Sequence, residues 1–100
     1  MLNIEKKEEE TGLMVVLSGR LDTMTSPELN TVMEEEIPNR DTITLDLKEL
    51  EYLSSAGLRV LLMSQQALAG KGGLKVKSVP PQIMTVFQMT GFQNVLEIIE

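Results

Sequence analysis

The hydrophobic pattern at the start of the chain is that of two short strands. Leu2 and Ile4 alternate with polar neighbours, which predicts an edge strand. Residues 13–17 are continuously apolar, and such a run predicts a strand that is buried on both faces, closed here by Gly19. The charged residues 6–11 between the two runs predict a solvated strand end and a hairpin turn. The first strand is therefore expected to lie antiparallel at the edge of a sheet.

A helical pattern follows the second strand. Ser26 and Pro27 predict the start of the helix, because Ser caps free backbone amides and Pro fits the first turn. The next apolar residues fall at i, i+3, i+4 and i+8, which is one face of a helix. They are Leu29, Val32, Met33 and Ile37. Pro38 and Asn39 end this helix.

The rest of the chain alternates strands with helices. The pattern predicts a strand over residues 43–47, a helix that begins at Ser54 or Ser55 after a short linker, a strand over residues 74–79, a helix from Pro80-Pro81 to a cap at Gly91, and a strand over residues 95–99. The order β-β-α-β-α-β-α-β implies helical crossovers between parallel strands. We therefore predict one α/β domain over residues 1–100, with a mixed, mostly parallel five-stranded sheet, three main helices and the first strand antiparallel at the edge.

The residue composition excludes common forms of catalysis. The 100 residues contain no histidine and no cysteine, so a Ser-His-Asp triad, a thiol nucleophile and a disulfide are excluded. The usual general base near neutral pH and the commonest zinc ligand are missing for the same reason. No Ser-x-x-Lys pair offers another way to activate a serine. We expect a protein that is not an enzyme, without catalytic residues, metal or cofactor.

Net charge and hydropathy limit the partners. The formal net charge is −6 at pH 7, and an acidic chain repels nucleic-acid backbones and anionic lipid. The longest apolar runs have about five residues, whereas a membrane-spanning helix needs about 20. The first residues become charged at once, so no signal peptide is expected. These features predict a cytoplasmic protein with no nucleic-acid partner and no membrane insertion.

The pair Ser54-Ser55 stands where a strand ends and a helix begins. Partners of open α/β sheets gather beyond the carboxyl ends of the parallel strands. A helix N-terminus favours negative charge by roughly 0.3–1 kcal/mol, so it accommodates a phosphate on Ser55. The alternative is that the serines supply an ordinary N-cap and nothing more.

Gly57 is an uncommon choice for the first turn of a helix, because glycine costs roughly 1 kcal/mol there relative to alanine. A close backbone approach by a partner is one reason to keep a glycine at this position. A tight contact between the helix and a strand is the other reason. The sequence leaves both open.

Residues 53–62, with the sequence LSSAGLRVLL, resemble the signature of STAS domains, in particular the bacterial anti-sigma factor antagonists. Three further segments agree with that family in order and spacing. Residues 17–22 (LSGRLD) resemble its G-x-L-D after the second strand, residues 45–53 its central strand and approach loop, and residues 86–92 its late helix and cap. The resemblance covers nearly the whole chain and implies the STAS fold.

The resemblance also implies a mechanism of partner switching. The unphosphorylated antagonist binds an anti-sigma factor that is also a serine kinase, and this binding frees the sigma factor. The kinase phosphorylates the serine two residues before the glycine, here Ser55, and a metal-dependent serine phosphatase reverses the reaction. The best-known members carry Asp where this chain has Ser54, so Ser54 stays open as the acceptor, as does the absence of any acceptor.

The predicted partner-binding residues are Asp22, Ser54, Ser55, Gly57 and Arg59. By resemblance, the loop of Asp22 borders the same surface as Ser55, although a turn or cap aspartate is the alternative. Arg59 lies one helical turn after Ser55 and is expected to pair with phosphate or an acidic partner, unless it is simply an exposed helix residue. A second function stays open: a STAS scaffold without phosphorylation, in a signalling complex or as an accessory subunit of a lipid transporter.

Overall fold

The computed structural model describes residues 1–10 and 12–99. In these residues, five strands and three helices follow each other in the predicted order. The strands are β1 (Leu2–Glu9), β2 (Gly12–Leu21), β3 (Thr42–Leu53), β4 (Gly73–Lys77) and β5 (Glu97–Ile99). The helices are α1 (Ser26–Glu36), α2 (Ser55–Leu68) and α3 (Pro81–Thr90), and two short 3₁₀ helices lie at Ile37–Asn39 and Phe92–Asn94.

The strands lie side by side in the order in which they occur in the chain. β1 is antiparallel to β2, and the remaining neighbouring pairs are parallel. The predicted α/β fold, with a mostly parallel five-stranded sheet and an antiparallel edge strand, is therefore confirmed. Right-handed crossovers between neighbouring parallel strands bring α1, α2 and α3 to the same face of the sheet.

The core lies between this face and the helices. Val15, Leu45 and Val76 form one row across β2, β3 and β4, and all three are fully buried. The helices contribute Leu29 and Met33 from α1, Leu58, Leu61 and Leu68 from α2, and Ile83 and Phe87 from α3. Each Å² of apolar surface removed from water stabilises the fold by about 25 cal/mol, so this layer holds the helices on the sheet.

Among the described residues, no helix covers the opposite face of the sheet. Leu13, Val15 and Leu17 are buried, but Met14 and Val16 between them are only half-buried. The prediction that residues 13–17 are buried on both faces is therefore wrong. An apolar run does not reveal which faces are covered, and consecutive right-handed crossovers place every helix on one side.

β2 and β3 both extend further than the sequence predicts. Gly19 does not close β2, which continues to Leu21. Gly19 lies inside the strand with a φ of 96°, at a shift in the register with β3. A side chain at this position would collide with the carbonyl oxygen of Met1. β3 takes the place of the predicted linker and continues to Leu53. Asp22 therefore directly follows β2, and Ser54 directly follows β3. Both residues lie at the carboxyl ends of these parallel strands.

The other predicted elements are present with small shifts of their bounds. β4 ends at Lys77 rather than at residue 79, and β5 begins at Glu97 rather than at residue 95. Gly91 ends α3 with a φ of 78°, as the sequence predicts. The predicted turn after β1 includes Thr11, which lies outside the described residues. None of the helices in the described part of the chain has the length and hydropathy needed to cross a membrane.

Candidate functional site at the start of α2

The two serines before and at the start of α2 have different environments. Ser54 is the N-cap residue, with extended backbone, and its hydroxyl accepts a hydrogen bond from the backbone N–H of Gly57 at 3.2 Å. Its own backbone N–H donates to the carbonyl of Leu21 at 2.9 Å, which ties the start of α2 to the end of β2. The capping role that the sequence left open therefore belongs to Ser54.

Ser55 is the first residue of α2, and its side chain is exposed. Within residues 1–10 and 12–99, its hydroxyl has no hydrogen-bond partner, since the cap is made by Ser54. The positive end of the helix dipole lies at this position, and it favours a negative group on the side chain. Ser55 thus presents its hydroxyl at the surface, whereas Ser54 is half-buried and caps the helix.

Gly57 is buried, and packing inside the chain explains why it is a glycine. A Cβ at this position would lie 2.8 Å from Leu21 Cγ and 2.8 Å from Leu53 Cδ1. Both distances are shorter than ordinary van der Waals contact. The glycine therefore lets α2 begin close against the ends of β2 and β3, and it shapes the site by holding Ser55 at the sheet edge.

Asp22 closes the turn between β2 and α1. Its carboxylate oxygen Oδ1 accepts hydrogen bonds from the backbone N–H of Met24 and of Thr25, each at 3.0 Å. The Thr25 N–H is the main reason that the pKa of the Asp22 carboxyl lies below its usual range. The side chain is a turn aspartate, as the alternative interpretation proposed, and it fixes the loop in which Thr23 lies beside α2.

α1 begins at Ser26 as predicted, but Ser26 does not cap it, so the predicted capping role is wrong. The N-cap residue is Thr25, which makes no capping hydrogen bond with its side chain. The Ser26 hydroxyl donates to the carbonyl oxygen of Asp22, inside the first turn of the helix. The Asp22 carboxylate accepts a hydrogen bond from the backbone N–H of Thr25, the N-cap residue, and Ser26 and Pro27 fall one residue later than a cap requires.

Arg59 lies four residues after Ser55 on the exposed side of α2, between two shallow grooves. The groove toward α1 has a volume of about 360 Å³ and includes Ala56 and Met63. The groove toward the 3₁₀ helix after α3 has a volume of about 460 Å³ and includes Leu62 and Phe92. Arg59 lines both grooves, and Ser55 lines the second one. Ser55, Arg59 and Met63 thus form an exposed ridge on α2, with apolar surface on each side.

Sequence reasoning missed an exposed stack near the carboxyl ends of β2 and β3. The guanidinium carbon of Arg20 lies 4.2 Å from the centroid of the Tyr52 ring, and the Arg20 Nε lies 3.7 Å from a carboxylate oxygen of Asp22. Tyr52 is 42% exposed although it is a large aromatic residue. The sequence contains one signal for this site: Tyr52 is the only tyrosine and lies two residues before Ser54. The pairing across β2 and β3 that creates the stack is not visible in the sequence.

Comparison with known protein families and proteins shows which family the chain resembles. The family model described as "Mlab, STAS domain" matches residues 4–99. The "Anti-sigma F factor antagonist" of Paenibacillus polymyxa is 35% identical over 100 residues, covering 97% of this chain and 86% of that protein.

Solved structures share the fold. An anti-sigma factor antagonist from Mycobacterium paratuberculosis superposes with a TM-score of 0.90 at 21% identity, covering 98% of this chain and 85% of that one. The Bacillus cell fate determinant SpoIIAA in its phosphorylated form superposes with a TM-score of 0.76 at 18% identity, covering 98% of this chain and 92% of that one. The relatives are regulatory antagonists, and the prediction that the chain is not an enzyme is confirmed. The chain belongs to the STAS domain family.

Proposed function

We propose that the chain is a cytoplasmic anti-sigma factor antagonist controlled by phosphorylation of Ser55. The unphosphorylated form binds an anti-sigma factor serine kinase, and this binding releases the sigma factor. Phosphorylation of Ser55 by the kinase prevents binding, and a serine phosphatase restores it. The observation that carries the proposal is the exposed, uncommitted hydroxyl of Ser55 at the first residue of α2, next to a Ser54 hydroxyl that is already engaged by Gly57.

The relatives support the regulatory part of the proposal. The 35% identical protein of Paenibacillus polymyxa is named an anti-sigma F factor antagonist, and a Bacillus subtilis relative at 24% identity is named an anti-sigma-B factor antagonist. One structure with the same fold is of a phosphorylated form. These names agree with a non-enzymatic protein whose binding is controlled by a phosphate.

The exposed surface around Ser55 supports the binding part of the proposal. Ser55, Arg59 and Met63 form the ridge of α2, Thr23 in the Asp22 loop lines the groove beside it, and Met24 in the same loop is 84% exposed. Exposed methionine and arginine side chains are enriched where proteins bind each other. In the proposed complex, Ser55 and Arg59 contact the partner, while Asp22, Ser54 and Gly57 hold the surface in shape.

The effect of a phosphate follows from electrostatics. Phosphoserine carries about −1.5 to −2 charges at pH 7. An uncompensated ion in a closed interface costs several kcal/mol, and each 1.4 kcal/mol changes the dissociation constant about tenfold. If Ser55 lies inside the docked surface, a phosphate lowers affinity at least about a hundredfold without a change in the fold.

Phosphorylation by the anti-sigma kinase encoded in the same genome tests the proposal. The protein is incubated with the kinase and ATP, and the added mass is measured for the native sequence, Ser55→Ala and Ser54→Ala. One phosphate is expected in the native protein and in Ser54→Ala, and none in Ser55→Ala. Phosphate uptake by Ser55→Ala at the native rate would remove Ser55 as the acceptor, and treatment with the serine phosphatase should return the native protein to its original mass.

A STAS scaffold that is not phosphorylated is the second candidate function. The family model that matches residues 4–99 is described as Mlab, STAS domain, and this description does not name sigma-factor control. The two functions differ in the kinase experiment. Stable binding to a membrane transporter or a signalling complex, with neither binding nor phosphate uptake in the presence of the kinase, would favour the scaffold.

A further inference from the structure

We infer that Arg59 is a second part of the switch and exchanges partners when Ser55 is phosphorylated. In the unphosphorylated protein, its guanidinium binds a carboxylate of the partner. In the phosphorylated protein, the same guanidinium binds the Ser55 phosphate and leaves the partner's carboxylate unpaired. This inference rests on the proposed function, and it names both the chemistry of the partner's contact residue and the way in which the phosphate removes it.

The position of Arg59 allows both pairings. Ser55 and Arg59 are four residues apart on α2, both are exposed, and both line the groove that ends at Phe92. Residues at this spacing on a helix are about 5–6 Å apart at Cβ, and an acidic group four residues before a basic group is the favourable order. Guanidinium groups bind phosphate and carboxylate with two parallel hydrogen bonds, so the same side chain suits either acceptor.

Arg59 differs from the other two arginines in having no acidic partner among the described residues. Arg40 is held by Glu8 at 2.6 Å and by Glu36 at 3.2 Å. Arg20 lies 3.7 Å from Asp22 and stacks on a tyrosine ring. The chain has 15 acidic and 9 basic residues, so acidic side chains are in excess, and yet Arg59 is not paired with one of them. It fits a surface that receives a carboxylate from another protein.

The grooves beside Arg59 strengthen the expected contact. Met63 lines the groove on one side of Arg59, Leu62 and Phe92 line the groove on the other side, and Ala56 lines both. When apolar side chains of the partner fill these grooves, water is excluded from the ion pair, and a charged hydrogen bond gains strength in the lower dielectric. Phosphorylation then withdraws the only arginine of the ridge from the partner's carboxylate, and the paired phosphate still leaves part of its negative charge uncompensated in the interface.

The intramolecular half of the inference is tested without any partner. Phosphoserine is encoded genetically at position 55, and phosphorus NMR follows the second ionisation of the phosphate in the native background, in Arg59→Gln and in Lys7→Gln. Lys7 is an exposed residue of β1 at the opposite end of the sheet and is the control for a lost positive charge.

The expected result is a phosphate pKa that is lower in the native background than in Arg59→Gln by about 0.3 unit, because a helical ion pair favours the dianion. Lys7→Gln should match the native background. Equal phosphate pKa values in the native background and in Arg59→Gln would overturn the inference.

The intermolecular half is tested by four dissociation constants for the anti-sigma kinase: native and Arg59→Gln, each with Ser55 free or phosphorylated. We expect Arg59→Gln to weaken binding of the free form about tenfold, as for the loss of one charged hydrogen bond, and to change binding of the phosphorylated form by less than about threefold. An equal loss in both forms, or no loss in either, would overturn the inference. If phosphorylation does not weaken binding of the native protein, the proposed function fails instead.

Discussion

The backbone N–H of Gly57 donates a hydrogen bond to the hydroxyl of Ser54 at 3.2 Å, and this contact separates the roles of two adjacent serines. Ser54 is used to cap α2, and Ser55 is left exposed one residue later. Because Gly57 also packs on Leu21 and Leu53, the cap is anchored to the ends of β2 and β3. The cap and the packing of Gly57 therefore fix the position of the Ser55 hydroxyl, and neither needs to take part in phosphorylation of Ser55.

The separation of roles predicts that two alanine substitutions differ in their effect on stability. Ser54→Ala removes the cap and should lower the free energy of unfolding by about 1 kcal/mol. Ser55→Ala removes an exposed hydroxyl and should change it by less than about 0.5 kcal/mol. Urea denaturation of both variants measures these differences. A loss in Ser55→Ala as large as that in Ser54→Ala would mean that Ser55 shares the cap.

The packing of Gly57 predicts that even one methyl group is harmful there. Gly57→Ala should lower the free energy of unfolding by about 1–2 kcal/mol, because overpacking costs about 1–3 kcal/mol and better helix propensity returns up to about 1 kcal/mol. Gly70→Ala is the matched control, since a Cβ at Gly70 has no neighbour within 4 Å among the described residues. The control should be unchanged or more stable by up to about 1 kcal/mol.

Thermal or urea denaturation compares the two glycine variants with the native protein. Equal stability of Gly57→Ala and Gly70→Ala would show that Leu21 and Leu53 move aside at little cost. In that case the glycine would need another explanation, and a close approach by a partner would be the remaining one.

The sequence predicts the order of elements well, because each element has its own hydrophobic spacing and its own end signal. It fails where the outcome depends on distant residues. The burial of Met14 and Val16 depends on which face the helices cover, and the continuation of β2 past Gly19 depends on pairing with β3. Periodicity within a segment carries no information about either.

The candidate site shows the same limit at finer scale. The sequence places a serine pair at a helix start, but only the position of the first helical residue decides that Ser54 caps and Ser55 does not. Helix bounds are uncertain by one or two residues when they are inferred from a pattern. The stack of Arg20 on Tyr52 requires the register between β2 and β3, so it was missed.

An ion cluster at the far end of the sheet predicts how stability depends on pH. A hydrogen bond from Arg40 is the main cause that lowers the pKa of Glu8 below the usual 4.5, and a hydrogen bond from Lys6 is the main cause for Glu36. A carboxylate with a lower pKa in the folded state stabilises the fold above the unfolded pKa, and this contribution is lost as the pH falls through the folded pKa. The cluster should therefore contribute at pH 7 and lose its effect below about pH 4.5.

Arg40→Gln tests this contribution. The difference in the free energy of unfolding between the native protein and Arg40→Gln should be largest near neutral pH and should shrink as the pH is lowered toward 3. Lys7→Gln removes an exposed charge of β1 and should leave the pH dependence unchanged. Parallel pH profiles for the native protein and Arg40→Gln would show that the cluster does not couple to folding.

A phosphate on Ser55 is expected to prevent partner binding, whereas the hydroxyl of the neighbouring cap residue Ser54 is not needed for binding. The most direct measurement is the dissociation constant for the anti-sigma kinase of three forms of the protein: unmodified, with phosphoserine encoded at position 55, and unmodified Ser54→Ala. We predict that the phosphate at position 55 raises the dissociation constant at least about a hundredfold, whereas Ser54→Ala changes it by less than about threefold. Equal affinity of the unmodified and Ser55-phosphorylated proteins would contradict the account.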